Sequence, residues 1–88
     1  MQEKAQDLFE LLQEKVGCEY ISDLPFAAKK NPLAVIHAVA SIRPSDFTLH
    51  QWNDALEYIV KAPAQHTDIE AYSLLLYSLS AVNEVGGR

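Results

Sequence analysis

Apolar side chains recur every three or four residues in four separate stretches of this chain, and no stretch alternates apolar and polar residues for long. The first pattern marks amphipathic helices, whereas alternation would mark strands. No Asn-Gly or Asp-Gly pair is present to close a hairpin. The pattern predicts an all-α protein with four major helices and short turns between the first two.

Over about residues 3–16, Ala5, Leu8, Phe9, Leu12 and Val16 share one face, with Leu11 at its edge. Glu3, Asp7, Glu10 and Glu14 fall opposite, at about 100° per residue. That acidic stripe reads as a solvated face, and Gly17 supplies a left-handed stop. Residues 20–30 read as short turns, with Pro25 opening the second. Tyr20, Ile21, Leu24 and Phe26 are their expected core contributors. Asn31 and Pro32 suit the cap and first position of a helix over 32–42. On it Val35, Ile36, Val39 and Ile42 share one side, and Ala34, His37 and Ser41 the other. Arg43-Pro44 ends it.

The third major helix is expected over 49–61. Thr48 and Gln51 have capping-box spacing, and Phe47 can staple onto Trp52. Leu49, Trp52, Leu56, Ile59 and Val60 form its apolar face; His50, Asp54, Glu57 and Lys61 point away. A second box, Thr67 with Glu70, opens a helix over 68–84, with 85–88 as a frayed tail. Ile69, Tyr72, Leu75, Leu76, Leu79 and Val82 make a wide face on it, and Leu74, Tyr77, Ala81 and Val85 a second, roughly opposite. A helix apolar on two sides is central or needs a partner. Burial beneath the Tyr20–Lys30 segment is the favoured reading; the other makes Leu74, Tyr77, Ala81 and Val85 a candidate interface.

The expected fold is a single domain over 1–88, a compact four- to five-helix bundle or an orthogonal helical array. Its core should include Leu8, Phe9, Leu12, Val35, Ile36, Val39, Trp52, Leu56, Ile59, Leu75 and Leu79. The chain's 88 residues suit one domain, and a domain of that size buries only about 60–65% of its unfolded surface.

Charge narrows the partners. Seven basic residues against twelve acidic leave a net charge of −5, which disfavours binding to phosphate backbones or anionic lipid. A nucleic-acid-associated regulator built on a helix-turn-helix-like bundle is the alternative reading. It would need a basic recognition helix, yet the stretch after Lys29-Lys30, the only basic pair, is almost wholly apolar. Cys18 stands alone, so no internal disulfide or multi-cysteine zinc site can form. Small extracellular domains usually need disulfides, so a cytoplasmic location is expected. MQEKAQDLFELLQEK lacks the basic start and apolar run of a signal peptide. The longest apolar stretch, Pro32 to Ile42, is about half the ~20 residues a membrane span needs.

Candidate chemistry is sparse. His37 and Ser41 lie one turn apart, but no acid on their helix completes a catalytic set. A histidine hydrogen-bonded to a nearby group is the expectation there. His50 with Asp54 supplies two ligands where zinc takes three or four. Near His66, Asp68 and Glu70 already suit a helix start. Cys18 follows a helix C-terminus, the wrong end for activating a thiol, and reads as a small core filler. No glycine-rich phosphate loop exists. Acyl carrier proteins are also small, acidic and helical. They place serine directly after aspartate, though, and Ser22-Asp23-Leu24 reverses that order, which excludes the comparison. The expectation is therefore no enzyme, no cofactor, no metal, no small-molecule ligand and no membrane. A protein-interaction or assembly module, acting on a protein partner or on itself, remains.

Overall fold

The computed structural model describes residues 7–86, with side chains described over 7–82. Asp7 opens the first helix: its Oδ2 accepts from the Phe9 N–H at 3.3 Å. Its backbone is extended, so α1 runs Leu8–Val16. Asp7 is thus a cap rather than part of the acidic stripe expected over 3–16, and the aspartate offsets the unpaired N–H groups of the first turn. Glu10 and Glu14 are exposed as expected; Glu3 and Ala5 lie outside the described residues. Gly17 adopts φ 88°, and the N–H groups of Gly17 and Cys18 both donate to the Gln13 carbonyl, at 2.9 and 3.0 Å. Gln13 Nε2 donates in turn to the Glu19 carbonyl at 2.8 Å.

A 3₁₀ turn at Ile21–Asp23 leads into α2, Leu24–Lys30. Leu24 and Ala28 are buried one turn apart, but Phe26 is 63% exposed. Phe26 lies two residues from each, about 200° around so short a helix, so it cannot share their face. Tyr20 sits in extended backbone before the turn and is 62% exposed. Neither is the core contributor that its apolarity suggests.

Asn31 joins α2 to α3 (Pro32–Ala40) with no loop between them. Its N–H donates to Ala27 and its carbonyl accepts from Ala34, but its side chain makes no capping hydrogen bond. The expected cap is replaced by a backbone hinge. The helix ends two residues before Ile42, which is nonetheless buried. Arg43 is extended ahead of a 3₁₀ turn at Pro44–Asp46, as the residue before proline prefers.

In α4, Leu49–Val60, the capping box forms in both directions: Thr48 Oγ1 accepts from Gln51 N–H and Gln51 Oε1 from Thr48 N–H, each at 3.1 Å. Phe47 meets Trp52 edge-on, 6.2 Å between centroids. Lys61 closes the helix at φ 60°. α5 spans Asp68–Gly86. Thr67 Oγ1 accepts from Glu70 N–H at 3.1 Å, while Glu70 Oε1 takes the N–H of His66 rather than Thr67. Residues 85 and 86, expected in a frayed tail, continue the helix.

The result is an all-α helical array in which α5 is central. It packs most extensively on α3 and α4, and also on α2 and the Pro44–Asp46 turn. Trp52, Leu8, Leu12, Leu24, Leu56, Leu75, Leu79, Val35 and Val39 are essentially fully buried. Each such aliphatic side chain contributes about 1.5–3 kcal/mol relative to exposure. Phe9 and Ile36, expected in the core, are only partly buried against it. Ala28, Ala38, Ala55 and Ala71 are buried instead, small residues that let helices approach closely.

Candidate interaction surface

The row Ala71, Leu75 and Leu79 turns the buried side of α5 inward at i, i+4 spacing. Tyr77 lies two residues from both leucines, about 200° around the helix, and is 72% exposed. Ala81, one turn on, is also exposed, and Leu74 is half-buried against the core. Val85 is helical, but its side chain lies outside the described ones. At Tyr77 and Ala81 the second stripe is therefore not hidden beneath residues 20–30, as the sequence suggested: α2 reaches α5 but leaves Tyr77 uncovered. Ile69, expected on the wide inner face, is 62% exposed; it sits in the first turn of α5, just past the cap.

Next to this stripe lies a groove of about 350 Å³, where α2, the end of α4 and the later turns of α5 converge. Ala28, Ile59, Val60 and Val82 give it apolar walls, and Lys29 and Lys61 are the only ionisable residues among the described ones that line it. Ser78 and Val82 line it from α5. They follow Tyr77 and Ala81 by one residue each, so groove and stripe are neighbouring rows of one helix. Lys61 is held in place: its Nζ lies 5.8 Å from the centroid of the Tyr58 ring and 3.5 Å from the Tyr58 carbonyl. A second hollow, about 400 Å³, lies beside α2 near Cys18, Phe26 and Lys30.

The reactive-looking residues do not converge. His37 is exposed and its ring makes no hydrogen bond within the described residues, contrary to expectation; Ser41 N–H donates to the His37 carbonyl at 3.1 Å and Ser41 Oγ to the Ala38 carbonyl at 2.7 Å. Their side of α3 meets water. His50 Nε2 lies 3.2 Å from Asp54 Oδ2, both well exposed. Asp68 Oδ1 accepts from Ile69 N–H, and Glu70 serves the cap. No group of three or more metal-ligating side chains occurs among the described residues. Cys18 is half-buried; burial, and then the negative charge of Asp23, push its thiol pKa up from 9.0, which makes it a poor nucleophile at neutral pH.

The groove was not readable from sequence. Its walls come from three separated segments, and the left-handed backbone at Lys61 that turns the chain there has no glycine to announce it. Among the described residues no helix is long and apolar enough to cross a membrane. The chain matches no protein-family model, no curated protein and no solved structure.

Proposed function

We propose that the chain is a cytoplasmic, non-enzymatic protein-interaction module that presents the outward side of α5 to a partner protein or to a second copy. The observation carrying this reading is the exposure of Tyr77 in the middle of a 19-residue helix whose other side anchors the core. A tyrosine on a rigid element offers a large contact at small entropic cost, and tyrosine is enriched where binding energy concentrates. Ala81 and Leu74 extend the apolar strip on either side. The lone Cys18 and the small size favour a reducing compartment.

The test compares wild type with Tyr77→Lys and with Glu57→Lys as a surface control. Wild type should retain a specific protein from cell extract, or form a dimer by light scattering, and Tyr77→Lys alone should lose that property. Identical retained proteins for all three forms, together with a monomer at every concentration, would sink the reading.

A further inference from the structure

We infer that the groove between α2, α4 and α5 receives an acidic amphipathic segment of a partner protein, its apolar side chains seated beside Val60 and Val82 and its carboxylates on Lys29 and Lys61. This rests on the interaction reading of α5 and adds the chemistry of the partner.

Three observations converge. First, the groove is apolar inside and cationic at its edge: among the described residues, Lys29 and Lys61 are the only ionisable ones lining it. Neither forms an ion pair among the described residues; Arg43 and His50, by contrast, pair with Asp46 and Asp54. Glu57, one turn before Lys61, is exposed and does not line the groove. Second, this positive edge stands out on a chain of net charge −5. Of the five described cations, Lys15, Lys29, Lys30, Arg43 and Lys61, two line the groove and Lys30 adjoins Lys29. Complementary charge at a rim selects partners and speeds encounter. Third, the groove does not end at its own walls, because its α5 wall runs directly into the exposed Tyr77–Ala81 strip. A helix laid in a groove uses anchors at i, i+3, i+4 and i+7. Here about 350 Å³ of groove takes the inner anchors, and the strip alongside takes the outer ones. A nucleic acid would find the two lysines but no use for an apolar trough, and would meet the acidic remainder of the chain.

The probe is a synthetic amphipathic helix of about 14 residues, leucine at i, i+3, i+4 and i+7 and glutamate elsewhere. Its controls are the same peptide with lysine for glutamate and a single-stranded oligonucleotide. Amide shifts of labelled protein and fluorescence anisotropy are the readouts. The acidic peptide should shift Lys29, Lys61, Ser78 and Val82. Its affinity should fall about tenfold in the Lys29→Glu/Lys61→Glu double variant and on raising salt from about 50 to about 300 mM. Ser78→Trp, which fills the trough, should abolish binding while the circular dichroism stays helical. Equal binding of acidic and basic peptides, binding unaffected by the double variant, stronger binding of the oligonucleotide, or the same shifts appearing with protein concentration alone would each overturn the inference. Tyr77-dependent partner capture persisting in the double variant would leave the module reading standing without the acidic partner.

Discussion

The indole N–H of Trp52 donates to the carbonyl of Pro44 at 2.8 Å, tying the first turn of α4 to the turn that follows the α3 segment. The ring is fully buried and meets Tyr72 edge-on at 5.1 Å and Phe47 at 6.2 Å. The only polar atom of the largest core side chain is thus satisfied in a core with no buried polar or charged residue among those described. Trp52→Phe should lose that bond, leave the Pro44 carbonyl with only the longer contact from the Phe47 N–H at 3.5 Å, and open a void. The expected cost is about 2–4 kcal/mol, read as a lower urea midpoint by circular dichroism. An unchanged midpoint contradicts the assignment.

Asn53 makes a two-way clasp with Gln65: its Oδ1 accepts the Gln65 N–H at 2.8 Å and its Nδ2 donates to the Gln65 carbonyl at 3.1 Å. The clasp holds the α4–α5 connection against α4. Asn53→Ala should cost about 1–2 kcal/mol. Asn53→Asp should cost less, since it keeps an acceptor for the Gln65 N–H. Amide exchange at Gln65 should quicken in the order Asn, Asp, Ala; any other order argues against the clasp.

Gly17 and Lys61 both adopt left-handed backbone, φ 88° and 60°. A Cβ at Gly17 would meet nothing within 4 Å, so Gly17→Ala isolates the conformational cost, about 1 kcal/mol. Lys61→Gly should act oppositely and stabilise the α4 terminus by a few tenths to about 1 kcal/mol. Chemical denaturation of the two variants should show opposite shifts; shifts of the same sign would refute this account of both caps.

The Cys18 thiol binds its proton more tightly in the folded protein, because burial and then Asp23 raise its pKa above 9.0. Its contribution to stability is complete below the unfolded value and is lost as pH rises through the higher folded one. Alkylation should accelerate with a midpoint above 9.0, and Asp23→Asn should move that midpoint down. A midpoint below that of a free cysteine would contradict the placement.

Tyr77 and Leu75 separate surface from core on one helix. With Tyr77 72% exposed and Leu75 fully buried, Tyr77→Lys should change stability by no more than about 0.5 kcal/mol, whereas Leu75→Ala should cost about 2–5 kcal/mol. Thermal melts of both variants decide it. A large loss at Tyr77 would mean that the ring is structural.

Features that depend on a residue's near neighbours in the chain were legible beforehand. The Thr48–Gln51 box, the Phe47–Trp52 staple, the Gly17 stop and the break before Pro44 each involve groups within about five residues, where chain geometry alone sets the meeting. Long amphipathic stretches likewise announced Leu8, Leu12, Trp52, Leu56, Leu75 and Leu79 as buried. Short elements were less readable. Over the two turns of α2, helical period could not decide whether Leu24 or Phe26 faces inward, and the neighbours of Asn31 decided that its side chain would not cap.

By itself the sequence determined the helical character, the order of the elements and most of the inward-facing rows, since periodicity and capping act locally. Only the tertiary structure decided that Tyr77 stays open, that Asn53 reaches Gln65, and that Lys29 and Lys61 flank one apolar trough. Those outcomes follow from where α2, α4 and α5 come together, and apolarity alone does not tell a side chain which neighbour will arrive to cover it.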